Sequence, residues 1–228
     1  MRELPSLAAI KEGAVILVDK PLTWTSFDAL NKIRKQIHTK IGHCGTLDPL
    51  ATGLLICCTG KMTKQITGFQ QQPKEYTGSF HLGASTPTYD LESTPENFKN
   101  TDNLNAEIIL SAAESFLGAT EQIPPVHSAI KMGGKRVYEL AREGKAVQMK
   151  PRQIIITEFE ITKIELPEVY FRIACSTGTY IRSIAKDFGD ILGCGAYLSS
   201  LCRTRIGDFH VDDAPSVAEW IEYFRQQG

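Results

Sequence analysis

Apolar and polar positions along the chain fall into two rhythms, one of period two and one of period near 3.6, and each marks where an element should form. Ala14 to Asp19 (AVILVD) is a short apolar run read as a buried strand, which Lys20-Pro21 breaks. Ser26 then stands as a helix N-cap, with Phe27, Leu30, Ile33 and Ile37 on one face. Gly53 to Cys58 (GLLICC) is a second apolar strand. Glu75 to Leu82 sets Tyr76, Gly78, Phe80 and Leu82 against Thr77, Ser79 and His81, the alternation of a half-buried strand. After a polar loop from Ser85 to Asn105, Ala106 to Leu117 carries a helical stripe of Ile109, Ala113 and Phe116. Arg136 to Glu143 reads as a short helix, Ile154 to Leu166 and Val169 to Ser176 as strands, Tyr180 to Leu192 and Ser216 to Gln226 as helices. Strands that depart from simple strand-helix-strand alternation predict an α+β fold, with a central mixed, largely antiparallel sheet flanked by helices.

Composition narrows the class. With 228 residues, 42% hydrophobic and 22% charged, the chain can bury the core of a single domain spanning 1–228. No run approaches the roughly 18 apolar residues of a membrane span, and the first fourteen residues lack the pattern of a signal peptide, so a cytoplasmic protein is expected. Six cysteines without a CxxC pair are read as small core residues rather than a disulfide framework. Cys57 and Cys58, as strand neighbours, must face opposite ways, so they and His43 do not make a tetrahedral metal site, and no metal is expected.

The formal net charge of −1 argues against bulk attraction to a polyanion, but its distribution is uneven. From Lys131 to Arg152 seven basic residues face two acids, whereas from Thr86 to Glu121 seven acids face one lysine. A face turned toward nucleic acid produces such a split; so does a solvated basic helix, and charge alone leaves both open.

Candidate chemistry concentrates in three segments. Ile41 to Gly53 (IGHCGTLDPLATG) surrounds one His and one Asp with three glycines and a proline. Glycines permit tight turns and Pro49 keeps Asp48 out of helical geometry, which suits a carboxylate on a rigid loop. A turn-capping aspartate has the same signature. In Cys175 to Ile184 (CSTGTYIRSI), Arg182 lies in the first helical turn, where it opposes the helix dipole unless an anion is near. Gln122 to Arg142 joins two prolines, a Gly133-Gly134 hinge and basic residues, a pattern fit for a clamp on RNA.

Taken together and in order, these blocks resemble the TruB family of tRNA pseudouridine synthases. The resemblance is carried by VDKP with TSFDAL, GHCGTLDPLATGLL, KEYTG, QIPPVHSAIKMGGKRVYELAR, CSTGTYIRSIAKDFG and LCRTRIGDF, and runs from roughly Gly13 to Phe209. It implies a pseudouridine synthase fold that converts uridine 55 in the T-loop of tRNA to pseudouridine by extruding the base, cleaving its N-glycosidic bond and rejoining it through carbon 5, without a cofactor. By position the resemblance makes Asp48 the catalytic carboxylate, Tyr76 the group stacked on the base and taking the proton from carbon 5, and Arg182 the cation that pairs with Asp48. His43 would be the wedge that fills the space of the flipped base, and Tyr180 and Leu201 would line the pocket. An insertion over about 122–152, with Lys131, Arg136 and Arg142, would grip the T-arm. Cys44 stands where relatives commonly have Thr, and only Asp212 to Gly228 follows the last motif, too short for the PUA-type RNA-binding domain of many relatives. Reliance on the T-arm alone is therefore expected, and a monomer is the default. A non-catalytic RNA-folding module, a guide-RNA-dependent relative and an unrelated aspartate hydrolase are the competing readings.

Overall fold

The computed structural model of the chain describes residues 4–128, 131–132, 135–137 and 149–227. In chain order the elements are α1 (Leu7–Gly13), β1 (Val15–Lys20), α2 (Ser26–Ile37), β2 (Ile41–His43), β3 (Ala51–Thr59), a 3-10 turn, α3 (Ile66–Gln70) and β4 (Lys74–Leu82). There follow α4 (Ala106–Glu114), β5 (Gly118–Gln122), β6 (Lys131–Met132), β7 (Lys135–Arg136), β8 (Arg152–Glu165) and β9 (Glu168–Cys175). The chain closes with α5 (Ile181–Ile191), β10 (Ala196–Ile206), β11 (Phe209–His210), a second 3-10 turn and α6 (Val217–Gln227). They form two compact units, residues 1–77 with 200–228 and residues 78–199.

In the first unit β1, β3, β10 and the start of β4 follow one another in strand order, with β2 on β3 and β11 on β10. Only β3 and β10 run parallel among the pairs whose registers are defined here; β1–β3, β2–β3 and β10–β11 are antiparallel. β3 is buried along nearly its whole length, as a strand covered on both faces must be. One face packs Ile16, Val18, Leu55 and Cys57 against Ile33 and Ile37 of α2 and Trp220 and Phe224 of α6. The other buries Leu17, Leu54, Ile56 and Cys58. Cys57 and Cys58 thus lie in different clusters, as strand alternation requires.

In the second unit β4, β9, β8 and β5 follow in order, antiparallel at β9–β8 and β8–β5. Phe80, Phe159, Phe171 and Phe188 meet there, the rings of Phe80 and Phe171 stacked at 4.2 Å. The first unit mixes one parallel pair with antiparallel ones, the defined pairs of the second are antiparallel, and the flanking helices make the whole an α+β fold. Among the described residues no helix is long and apolar enough to cross a membrane.

Several expectations are corrected in detail. The cap of α2 is Thr25, not Ser26: the Thr25 hydroxyl accepts from the Asp28 amide while the Asp28 carboxylate accepts from the Thr25 amide, both at 3.0 Å. Phe27 is 64% exposed, and the buried face is Ser26, Ala29, Leu30, Ile33 and Ile37. Lys20 does not break β1 but ends it, fully buried. α4 stops at Glu114, and β10 forms where no strand was read. Lys131 and Arg136 are register partners in the β6–β7 hairpin, whereas Arg142 and most of the short helix read over 136–143 lie outside the described residues.

Candidate active site

Within the first unit the loop that joins β2 to β3 is held at nearly every residue around Asp48. Because Thr25 caps α2, the Ser26 hydroxyl is free to reach this loop, donating to the Leu47 carbonyl at 3.1 Å and accepting from the Leu47 amide at 2.8 Å. On the other side of Asp48 the Pro49 carbonyl accepts from the Thr23 amide at 2.9 Å, with the Lys20 ammonium at 3.4 Å. Upstream, Cys44 donates its amide to Ile56 at 2.8 Å, and the Gly45 carbonyl accepts from Nη2 of Arg203 at 3.1 Å. The half-buried Asp48 side chain therefore projects from a backbone pinned one residue before it and one residue after it. Such a backbone presents its carboxylate in one place, and no reorganisation is needed when a substrate arrives.

Two buried cations stand behind this loop. Lys20 is wholly buried and donates to the carbonyls of Pro21 at 2.9 Å and Trp24 at 2.6 Å. Burial pushes its ammonium down to about 8, with the Asp48 charge pulling the other way and Arg203 adding to the decrease. Arg203, 2% exposed, donates its Nε to the Leu54 carbonyl at 2.8 Å. Gly53 permits this approach: its φ is +100°, and a Cβ there would lie 2.4 Å from the Arg203 carbonyl. Lys20 and Arg203 lie within the VDKP and LCRTRIGDF motifs, which mark neither as part of a site. The signal for Lys20 was its place on the inward side of β1's alternation.

The other expected residues of this unit lie on adjacent strands. Leu201 of β10 is the register partner of Ala51, three residues beyond Asp48. Tyr76 is buried near the start of β4, where its neighbour Glu75 accepts from the Thr204 hydroxyl of β10 at 2.7 Å. His43 pairs with Cys57 at the edge of β3, and burial followed by the Arg203 charge pushes its pKa below the ordinary value, against a smaller opposite pull from the Gly45 backbone. Its ring is thus neutral at pH 7. Cys44 is fully buried with its sulfur 3.7 Å from that of Cys58, and hydrogen bonding and burial push its thiol up, so it behaves as a core residue.

In the second unit Tyr180 and Arg182 open α5. No side chain of its own caps this helix; instead the buried Gln122 accepts from the Tyr180 amide at 2.8 Å and donates to the Tyr180 carbonyl at 3.0 Å. The Tyr180 ring is covered by the Arg152 guanidinium, 4.7 Å from its centroid. Arg182 is buried, donating to the carbonyls of Thr88 at 3.3 Å and His127 at 3.0 Å. Its Nε lies 3.6 Å from Oδ2 of Asp90, and both side chains are 4% exposed. A cation in the first helical turn called for an anion, and Asp90 supplies one within this unit. Asp90 was not foreseen as part of a site, since it lies in a stretch whose pattern marks only loop, and Gln122 was read only as the start of the RNA-gripping segment.

Comparison with known proteins places this arrangement. The family described as TruB family pseudouridylate synthase (N terminal domain) matches residues 32–181. The chain is 48% identical over 224 residues to the tRNA pseudouridine synthase B of Phocaeicola vulgatus, covering 95% of each. It is 51% identical over 219 residues to that of Flavobacterium johnsoniae, covering 92% of this chain and 96% of the relative. Among solved structures it resembles a chain of a Cbf5-Nop10-Gar1 complex with a TM-score of 0.76 and 29% identity, covering 97% of this chain but only 57% of that one. A chain in the structure of an H/ACA RNP bound to a substrate RNA containing 2'-deoxyuridine matches with a TM-score of 0.71 and 27% identity, and here too the present chain spans 55% of the other's length. A family match across most of the chain, with relatives of near-equal length at about half identity, gives one answer: this chain belongs to the TruB family of pseudouridylate synthases.

Proposed function

We propose that this protein isomerises a uridine of transfer RNA to pseudouridine, acting on uridine 55 of the T-loop. The observation that carries the reading is Asp48, a half-buried carboxylate on a loop clamped by Ser26, Thr23 and Arg203 and facing the charge of Lys20. The reaction breaks the bond between N1 of the base and C1' of the sugar, forms one from C5 to C1', moves a proton from C5 and returns one to N1. Product and substrate are isomers, so neither a redox group nor a co-substrate is consumed.

Asp48 serves as nucleophile or as the base that opens a glycal path. Tyr76 takes the C5 proton, and Arg182 is the third catalytic group. Reaching a base in a folded loop requires extruding it, at a cost of a few kcal/mol. The neutral His43 ring offsets part of this by filling the vacated space, while Tyr180 and Leu201 line the pocket. The basic segment around Lys131, Arg136 and Arg142 holds T-arm phosphates, which fix position without reading sequence. The protein works as a cytoplasmic monomer.

The test is incubation of wild-type protein with an unmodified tRNA transcript and with an isolated T-arm hairpin, followed by mapping of pseudouridine by carbodiimide primer-extension stops. One stop in the T-loop of both RNAs, with similar affinities, is the expected result. Binding without product would move the reading to an RNA-folding module, and a strong preference for whole tRNA would sink reliance on the T-arm.

A further inference from the structure

Away from Asp48, the first unit carries a second concentration of charge at the end of α2. There the last turn of the helix, a residue in left-handed conformation (His38, φ 50°) and the turn into β2 enclose a cleft of about 670 Å³. Asn31, Arg34, Lys35, His38 and Lys40 line it, and among the described residues no carboxylate does. Helical spacing explains the grouping, because Asn31 with Lys35 and Arg34 with His38 are four residues apart and share a face. The backbone beneath is fixed: His38 donates its amide to Arg34 at 3.0 Å, Gly60 donates to the Lys40 carbonyl at 2.8 Å, and the Thr39 hydroxyl donates to Lys11 at 3.2 Å. The charged ends are not. Arg34, Lys35 and Lys40 are exposed, and none makes an ion pair or side-chain hydrogen bond with a described residue.

Complementing the helix dipole accounts for Arg34 and Lys35 in the last turn. It does not account for Lys40, which lies beyond the helix, for the absence of any acid among the described residues of the walls, or for a concavity with an amide at its side. A fixed frame bearing unpaired cations is the construction of an anion site. Position identifies the anion. Lys40 immediately precedes β2, whose three residues span about 10 Å to His43 and lead into the Asp48 loop. Given the proposed reaction on RNA, on which this inference rests, we propose that the cleft binds a backbone phosphate of the RNA strand whose uridine is held at Asp48. It is an anchor separate from the segment around Lys131, built entirely within the first unit.

The experiment compares wild type with the triple variant Arg34→Gln, Lys35→Gln, Lys40→Gln and with Lys32→Gln. Lys32 sits on the same helix but outside the cleft, its ammonium 5.9 Å from the Trp24 ring centroid. Kd for unmodified tRNA is measured by filter binding across a KCl series, alongside kcat, KM and the thermal melt. The expected result is a Kd and KM raised about tenfold for the triple variant, a plot of log affinity against log salt shallower by at least about 0.7, and kcat and Tm unchanged. Lys32→Gln should match wild type. An unchanged Kd and slope in the triple variant, or an equal loss in Lys32→Gln, overturns the cleft while leaving the isomerase reading standing. Wild-type protein that neither binds nor modifies tRNA overturns both.

Discussion

Replacing Lys20 by Met tests the cation behind Asp48. Met keeps the length of the side chain but removes its charge and its donors to Pro21 at 2.9 Å and Trp24 at 2.6 Å. Hydrogen bonds from a charged donor contribute roughly 1.5–3 kcal/mol each, and losing two leaves buried carbonyls without that partner. Against this, the variant no longer desolvates an ammonium, which returns part of the loss. A net destabilisation of about 2 kcal/mol at pH 7 is expected. The pH dependence has a definite sign. Lys20 holds its proton only up to about 8 in the folded protein, whereas the unfolded chain keeps it until near 10.5. Between these values the unfolded state binds more protons, so stability rises with pH there, and wild type gains on Lys20→Met by at most about 1.4 kcal/mol per pH unit, less after solvent screening. Below pH 8 both states are protonated and the difference is level. Urea unfolding followed by tryptophan fluorescence at intervals from pH 7 to 10 measures this directly. A stability difference that stays flat or shrinks above pH 8 would refute the buried, proton-shedding Lys20.

Gln122→Leu should loosen Tyr180 by removing both hydrogen bonds to its backbone, costing about 1–3 kcal/mol in urea unfolding and lowering kcat/KM on tRNA about tenfold. An unchanged kcat/KM would show that Tyr180 needs no such positioning. Gly53→Ala puts a Cβ 2.4 Å from the Arg203 carbonyl at φ +100°, and a loss above about 3 kcal/mol, read as a large fall in Tm or in soluble yield, is expected; a near-wild-type Tm would contradict the geometry.

Most of the fold was legible because its strands and helices carry unbroken periodicity. The apolar runs of β1 and β3, the stripe of α2 and the alternation of β9 are each a single strong rhythm. β10 was invisible for the opposite reason: its burial follows no alternation, and its interior includes Arg203 in a position usually held by an aliphatic residue. A charged residue inside a strand reads as surface until its carbonyl partners, Leu54 and Gly45, are seen. The site divided similarly. Asp48 stood out through its glycines and proline, but the groups that hold its loop come from Ser26, Thr23 and Arg203, at separations no local pattern reveals. For Arg182 the helix dipole suggested a nearby anion and the resemblance named Asp48; nothing in the polar stretch from Ser85 to Asn105 singled out Asp90, which lies 3.6 Å from its Nε.

The measurement that bears most directly on the central claim is pseudouridine formation by wild type and by Asp48→Asn, at RNA concentrations giving equal occupancy of both. Asn preserves the size of the side chain and removes its charge. The account predicts one pseudouridine in the T-loop with wild type and none with the variant, while the Kd for tRNA stays within about threefold. Product formed by Asp48→Asn at a rate near wild type would contradict it.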